Sequence, residues 1–389
     1  MKPITNRIME LDALRGFALI GILIVNMYSF NAYYGHMHEF YSAFTGLNNE
    51  IYQQVMFFFG GKFMYIFAFL FGYGAWLQFD KYENKDKFKG FWFRRMTILF
   101  CIGTLHILLL TFGDILAAYA LLGMTIPYFI KKSNKTLIIL LIIIQLTPAL
   151  EYALRSFLEY PNLKLLSKYS MNEYIQINSS TNLWDIMKLR LYDFFTFRNE
   201  KLIFYMPKEL SLFLLGIICA KMNLIQKCYT KNGLIFCTIS AISVAAYHQN
   251  EEQFWLLFGN EKTVAQDIIL YVIFLIKENI QGLLYIFGFV ALWNLNLFNK
   301  SFSFLKYSGR MALTNYIMQS LICFFIFSGF GFGLYGTLSP SELLLFSLYI
   351  LSFQWFFSYL WLKKYQFGPM EWVWRRLTYK KTIANKTYT

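Results

Sequence analysis

The uncharged runs of the chain constrain its fold most, and the first of them begins close to the N-terminus. Residues 16–30 carry no charged side chain, and with the turn 11–15 they are long enough to cross a hydrocarbon core of ~30 Å at a rise of ~1.5 Å per residue. Of all 389 residues, 57% are hydrophobic and only 15% are charged, which is too apolar for a soluble protein of this length. The sequence therefore predicts an all-α protein, a polytopic bundle of transmembrane helices.

Further apolar segments follow the first, and they predict about ten spans. No linker rich in Gly, Ser or Pro divides the chain, so we expect a single transmembrane domain over 1–389. Within it, we expect 154–202 to be an outer connection with a surface helix, 264–276 an interfacial or re-entrant helix, and 366–389 a cytoplasmic interfacial tail. The predicted spans are 14–31, 54–78, 96–112, 114–130, 136–153, 203–221, 232–249, 279–298, 311–333 and 343–362.

Lysine and arginine predict how the bundle is oriented. They cluster in the C-terminal tail and in four connections, 79–95, 131–135, 221–231 and 299–310, whereas 32–53 contains none. Because cytoplasmic loops are enriched in these residues, an even number of spans places both termini in the cytoplasm. The same clusters account for the net charge of +14. We expect the lipid bilayer, and no nucleic acid, as the partner, since no basic surface with stacking aromatic residues lies outside the spans.

Two polar residues lie within predicted spans at similar depth. Asn26 follows Arg15 by 11 residues, and His106 follows Arg95 by 11 residues, so both are predicted ~16 Å into the membrane. A histidine at that depth is expected to be neutral and available as a base or nucleophile. The alternative is a hydrogen bond between the two side chains that orders the bundle.

Asp114 follows His106 by eight residues, which is ~12 Å along a continuous helix and too far for a direct bond. A dyad of the two residues requires the chain to fold back at Gly113. In the alternative interpretation, Asp114 caps the N-terminus of the fourth span.

Other polar residues near the spans are candidates for substrate or cofactor binding: Asp12, Arg15, Lys62, Asn315 and Gln319. Lys62 either extends outward to the membrane surface or binds an anion in an outer vestibule. Asn315 and Gln319 share one face of the ninth span, where Gln354 of the tenth could meet them. We expect no metal site, since His36 and His38 lack a third ligand.

Several short motifs lie along the chain. They include Leu11-Asp12-Ala13-Leu14-Arg15-Gly16, Gly103-Thr104-Leu105-His106, Gly113-Asp114, Gly309-Arg310 and Gly368-Pro369-Met370-Glu371. Together they resemble the YeiB-type bacterial integral membrane family, the domain of unknown function 418, over almost the whole chain except roughly 155–205 and 245–280. The resemblance implies a multi-pass protein of the bacterial plasma membrane.

The motif of the first span is also remotely similar to transmembrane acyltransferases of the heparan-glucosaminide acetyltransferase type. These transfer an acyl group from coenzyme A on one side of a membrane to a hydroxyl or amine on the other, with a buried histidine as base or carrier. The similarity implies that His106 has this role, with Asn26 as its orienting or oxyanion partner. Arg15, held by Asp12, would lie near the phosphates of a cytoplasmic acyl-coenzyme A donor. The implied acceptor is a small molecule, such as a sugar or a lipid-linked compound.

Other assignments remain open at this point. His36 or His38 could be the reactive histidine. A transporter would instead use Asn26, His106 and Asp114, together with Lys62, to line a path for a small solute or protons. A third hypothesis is a scaffold without catalysis, and the sequence leaves open whether the chain forms homo-oligomers.

Overall fold

The computed structural model describes residues 8–33, 35–157, 168–227, 235, 237–244, 264–379 and 385. In these described residues, all elements of regular secondary structure are α-helices. The helices are α1 (Met9–Asn31), α2 (Met37–Ser42), α3 (Leu47–Phe59), α4 (Lys62–Lys81), α5 (Phe88–Leu109), α6 (Leu116–Gly123), α7 (Ile126–Phe129), α8 (Asn134–Phe157), α9 (Met171–Asn178), α10 (Leu183–Lys221), α11 (Leu224–Lys227), α12 (Val264–Trp293), α13 (Asn296–Ser301), α14 (Phe304–Arg310), α15 (Ala312–Phe327), α16 (Pro340–Lys364) and α17 (Pro369–Tyr379). Residues 237–244 are helical as well and carry part of the predicted span 232–249, the rest of which lies outside the described residues.

Five helical segments of the described chain are long and apolar enough to cross a membrane. They are α1, α3 with α4, α5, the part Leu275–Trp293 of α12, and α16. A sixth arises if α14 and α15, which meet at an angle of 87°, form one broken span. The chain thus has the helices of a membrane protein, while the number of ten spans stays a prediction.

At two predicted boundaries the helix is continuous in the structure. α10 runs for 39 residues from the predicted outer connection 154–202 into the predicted span 203–221, with Pro207 inside it. α12 joins the predicted interfacial segment 264–276 to the span that follows. Glu278 in α12 pairs with Lys208 of α10, so the two partly buried charges compensate each other between these helices.

The second predicted span, 54–78, is interrupted at Gly60 and Gly61, between the end of α3 and the start of α4. Gly61 has φ of 74°, a backbone conformation that glycine adopts readily. The Lys62 ammonium donates to the Met56 carbonyl oxygen at 3.3 Å, which also accepts the Gly60 amide at 3.0 Å, so it adds a second hydrogen bond at the end of α3.

The basic connections of the chain lie together at one end of the bundle, which we call the basic end. Lys131 Nζ is 3.5 Å from Asp86 Oδ1, and Lys221 Nζ donates to the Lys132 carbonyl oxygen at 2.6 Å. These contacts join the connections 79–95, 131–135 and 221–231.

The C-terminal helix α17 lies at the same end. Trp374 Nε1 donates to the Arg95 carbonyl oxygen at 2.9 Å, and the Arg95 guanidinium stacks 3.6 Å from the centre of the Trp374 ring. Arg310 donates to the Gln366 carbonyl oxygen at 3.2 Å. The connection 299–310 therefore joins the basic end as well.

The opposite end is formed by the connections that contain little Lys or Arg. The Gly336 amide donates to the Asn31 carbonyl oxygen at 2.8 Å, and the Ser341 amide donates to Asn48 Oδ1 at 3.1 Å. The Gly329 amide donates to the Asn178 carbonyl oxygen at 3.0 Å, which brings the end of α9 to this end of the bundle.

The helices α1 and α14 approach each other through two glycines. A Cβ on Gly309 would lie 1.7 Å from the Asp12 carbonyl oxygen, and a Cβ on Gly16 would lie 2.1 Å from the Leu305 carbonyl oxygen. α4 and α10 cross in the same way, since a Cβ on Gly72 would lie 2.0 Å from the Phe213 carbonyl oxygen. Small residues permit this close packing where no hydrophobic force drives helices together in lipid.

We predict that Gly309→Ala destabilises the protein by on the order of 2–3 kcal/mol, because the added methyl group must push two backbones apart. The matched control is Gly90→Ala in α5, where nothing lies within 4 Å of the added Cβ. There the change should stay within about 1 kcal/mol and favour the helix. Thermal unfolding of the two purified variants in the same detergent measures both effects. Equal melting temperatures would contradict the tight crossing.

Candidate functional site

His106 and Asp114 are brought together by a reversal of the chain after α5. The helix ends at Leu109, and residues 110–115 return the chain so that Asp114 Oδ1 lies 3.1 Å from His106 Nδ1. Asp114 Oδ2 accepts a hydrogen bond of 2.7 Å from the Ala117 amide at the start of α6. The carboxylate thus makes both contacts that the sequence offered as alternatives. Gly103 allows this approach, since a Cβ there would lie 2.4 Å from the Ala117 nitrogen.

The pair is shut away from solvent, with side-chain exposures of 1% for His106 and 0% for Asp114. The ring of Tyr316 stacks on the imidazole at a centroid distance of 5.2 Å. The contact between the pair has the distance of a hydrogen bond but not its alignment, and neither ring nitrogen has a hydrogen-bond partner among the described residues. Buried polar atoms without a partner are costly and rare, and such atoms are more common at functional sites.

Asn26 does not join this pair. Because both ring nitrogens of His106 are without a hydrogen bond, the predicted bond between Asn26 and His106 is wrong. The helix α5 begins at Phe88, before the predicted start of the span at 96, and ends at Leu109. His106 therefore lies only three residues before the end of α5. The predicted position near the middle of the span therefore shifts towards the opposite end of the bundle. The catalytic role of Asn26 stays a prediction without a contact to support it.

Asp12 and Arg15 form the ion pair expected from their spacing, with Nη1 of Arg15 2.8 Å from Oδ1 of Asp12. Asp12 is buried between the helices, and Arg15 is partly exposed. The carboxylate therefore fixes the position of the guanidinium at the basic end, next to Gly74 of α4. Whether Arg15 binds phosphates stays a prediction.

Asn315 and Gln319 meet Gln354 in a network of buried amides. Gln319 Nε2 donates to Gln354 Oε1 at 3.0 Å, and Gln354 Nε2 donates to the Asn315 carbonyl oxygen at 2.8 Å. Asn315 Nδ2 donates to the Ser308 carbonyl oxygen and to Ser358 Oγ, both at 3.0 Å. These bonds join α14, α15 and α16, so the amides hold helices together, and their use in binding a substrate stays a prediction.

Glu371 has a role that the sequence did not reveal. Its Oε1 accepts hydrogen bonds from the amides of Leu313, at 2.7 Å, and Thr314, at 3.1 Å, while Oε2 accepts from the Thr314 hydroxyl at 2.6 Å. A carboxylate of α17 therefore caps the N-terminus of α15 at the 87° break. The signal in the sequence was a single acidic residue in a helix otherwise rich in Arg and Trp.

A cleft with about 490 Å³ of empty space, part of it open to solvent, lies at the opposite end of the bundle. Leu110, Thr111 and Phe112, which begin the reversal between His106 and Asp114, form part of its wall. The other lining residues are Ser29, Phe30, Tyr174, Asn178, Leu189, Arg190, Asp193, Cys323, Phe324, Phe327, Ser328 and Tyr335. The sequence pattern predicts a helix within 154–202 that lies on the outer surface or caps the bundle, and Arg190 and Asp193 lie on the buried face of the helix found there.

The remaining charged or histidine candidates, Lys62, His36 and the exposed His38, lie elsewhere. Lys62 caps α3, as described above, and its Nζ lies 6.0 Å from the centre of the Phe57 ring. His36 Nε2 lies 3.3 Å from the Tyr169 carbonyl oxygen, and Nδ1 lies 4.0 Å from Glu39 Oε2. No cluster of three or more His, Cys, Asp or Glu residues suited to a metal is found within the described ranges.

The long apolar helices are those of a helical membrane protein, and they enclose a buried imidazole–carboxylate pair. A family model described as "Protein of unknown function (DUF418)" matches residues 220–381. The uncharacterized protein YxaH of Bacillus subtilis is 30% identical over 411 aligned positions, which cover 99% of this chain and 98% of that protein. YeiB of Escherichia coli, also called uncharacterized, is 27% identical, with 96% of each chain covered. An uncharacterized 39.9 kDa protein of Bacillus acidopullulyticus is 29% identical over 98% of this chain and 97% of its own length. The chain belongs to the YeiB-type DUF418 family, as the sequence motifs predicted.

We predict that the stability of the protein depends on pH through the buried carboxyl group of Asp193. It accepts a hydrogen bond from the Tyr174 hydroxyl, and burial raises the pKa of its carboxyl from 3.8 to about 7. Between these two values the folded protein binds a proton that the unfolded chain releases, so the free energy of unfolding should fall as pH rises, by on the order of 1 kcal/mol per unit.

We therefore expect the melting temperature of the wild type to fall from pH 5 to pH 7 relative to that of Asp193→Asn. The control is Asp185→Asn, which removes an exposed carboxylate from the same helix and should leave the wild-type pH dependence in place. Parallel melting curves for the wild type and Asp193→Asn would show that Asp193 titrates normally.

Proposed function

We propose that this protein is a membrane acyltransferase of ten spans, with both termini in the cytoplasm of a bacterial cell and a multi-pass position in the plasma membrane. It transfers an acyl group from cytoplasmic acyl-coenzyme A to a hydroxyl or amine of a small acceptor. The observation that carries this proposal is the buried His106–Asp114 pair, whose Nε2 atom has no hydrogen-bond partner among the described residues.

The arrangement of charges supports the proposed orientation. The basic connections and α17 converge on one end of the bundle, as expected if that end faces the cytoplasm. Arg15 lies at this end, where a donor with phosphate groups would arrive. The His106–Asp114 pair lies towards the opposite end, which suits a transfer across the membrane.

The chemistry requires one histidine nitrogen to accept a proton. Asp114 next to Nδ1 favours the tautomer that carries its proton there, which leaves the lone pair of Nε2 available. Nε2 takes the proton from the acceptor hydroxyl or amine while the acceptor forms a bond to the acyl carbon. The thioester carbon–sulfur bond then breaks, and the proton passes to the departing thiolate.

The acyl transfer is tested with purified protein and acetyl-coenzyme A. Release of the free thiol measures the reaction, and the shift of the melting temperature measures donor binding. We expect His106→Ala and the more conservative His106→Gln to lower the rate at least ~100-fold while the thermal shift persists, because only the base is lost. Arg15→Ala should reduce the thermal shift, because it removes a contact to the donor.

The matched control is Leu105→Ala, which shortens an exposed side chain of the same helix and should react at the wild-type rate. His38→Ala tests the other assignment. A rate loss in His38→Ala together with full activity in His106→Gln would refute the role of His106. If saturating acetyl-coenzyme A does not shift the melting temperature of the wild type, the proposed acyltransferase function is refuted.

A transporter is the second candidate, and one observation favours it. α14 and α15 form a helix broken by 87°, with buried polar groups close to the break, and discontinuous helices of this kind hold substrates in transporters. Glu371 occupies the N-terminus of α15, so an anionic solute would bind there by displacing this carboxylate. Uptake of solute or protons into liposomes without thiol release from acetyl-coenzyme A would favour this candidate.

A further inference from the structure

Arg190 is a buried cation without a described counter-charge. Its residue is 8% exposed, its Nη1 donates to the Leu109 carbonyl oxygen, and its guanidinium lies 5.0 Å from the centre of the Phe324 ring. In the part of the chain that the structure describes, no carboxylate lies within ion-pair distance of it. Burial alone lowers the pKa of Arg190 to about 10. A charge taken out of water is costly unless an anion pairs with it.

Asp193, one turn further along α10, does not supply this anion at slightly acidic pH. Its carboxyl is engaged by the Tyr174 hydroxyl, and its raised pKa keeps most of it protonated below pH 7. The groups that face it are Tyr174 of α9, Tyr335 of the loop before α16, and Arg190 itself. Among the described residues that line the cleft, Arg190 is therefore the main charged group at pH 6.

The rest of the cleft wall is suited to an amphiphilic molecule. Phe30, Phe112, Phe324 and Phe327 supply apolar rings from three different parts of the chain. Ser328 is 3% exposed, lines the cleft, and its hydroxyl has no hydrogen-bond partner among the described residues. An unpartnered buried hydroxyl beside an uncompensated guanidinium is an independent indication of a missing acceptor.

We propose that the cleft binds a small amphiphile whose anionic head group, a phosphate or carboxylate, pairs with Arg190 and accepts a hydrogen bond from Ser328. The phenyl rings contact its apolar or aromatic body. Neither the base at His106 nor an acyl donor takes part, so the site stands or falls independently of the proposed transfer reaction. The head group can belong to a free solute or to a lipid of the bilayer.

The test is isothermal titration of the full-length protein in phosphatidylcholine nanodiscs at pH 6. The probes are phenyl phosphate and benzyl alcohol, which share the ring and differ in charge. We expect phenyl phosphate to bind roughly tenfold more tightly or better, as a charged contact in a buried site should. Equal affinity for the two probes would overturn the proposal, because the cleft would then recognise only apolar surface.

Variants separate binding from folding. Arg190→Gln should weaken phenyl phosphate binding at least ~10-fold, whereas Lys188→Gln, an exposed cation on the same helix, should leave it within about twofold. Because Arg190 also binds the end of α5, Ser328→Ala serves as a second variant that removes only the hydroxyl, and we expect binding to weaken roughly threefold. Wild-type affinity in both Arg190→Gln and Ser328→Ala would refute the site.

A last arm identifies the source of the head group. Dioctanoyl phosphatidic acid is titrated in competition with phenyl phosphate. Competition shows that a lipid phosphate reaches the cleft, and binding of phenyl phosphate without competition shows a site for soluble anions. Either result supports an anion site, and failure of both probes to bind contradicts it.

Discussion

The contact of Gly16 with the backbone of α14, and of Gly309 with that of α1, is the constraint on which the rest of the bundle depends. It joins the first span to a segment almost 300 residues further along the chain, without a side chain between the two helices. Asp12 and Arg15 form their ion pair directly beside this crossing. On the other side of α14, Ser308 begins the amide network that continues through Asn315 to α16. A bilayer offers little hydrophobic drive for helix association, so close packing and buried hydrogen bonds together determine which helices meet.

The buried polar groups of the protein fall into two kinds. The amides of Asn315, Gln319 and Gln354 use their donors on other protein atoms, and Glu371 uses both of its oxygens. Among the described residues, the nitrogens of His106 and the hydroxyl of Ser328 are buried without such bonds. The first kind stabilises the fold, and the second has capacity left for a ligand or a proton.

Local patterns in the sequence predicted much of the fold and part of the site. The all-helical class, the membrane character and the pairing of Asp12 with Arg15 follow from composition and from spacing within one helix. The meeting of Gln319 with Gln354 could be predicted because unpaired amides in apolar helices must find each other. The contact of His106 with Asp114 depended on a turn at Gly113, which spacing alone could not decide, and the absence of a bond to Asn26 depends on how helices rotate about their axes. The burial of Arg190 and Asp193 was not predicted, because charged residues on an amphipathic helix are usually exposed. In the structure, α10 turns the face that carries them towards the bundle.

The cap that Glu371 places on α15 has a consequence for how the protein is made. Ribosomes synthesise the chain from its N-terminus, so α14 and α15 are made before residue 371. Until then the amides at the break between α14 and α15 lack the carboxylate that satisfies them in the folded molecule. The interior around this break is therefore completed only when a segment that is translated later returns to it.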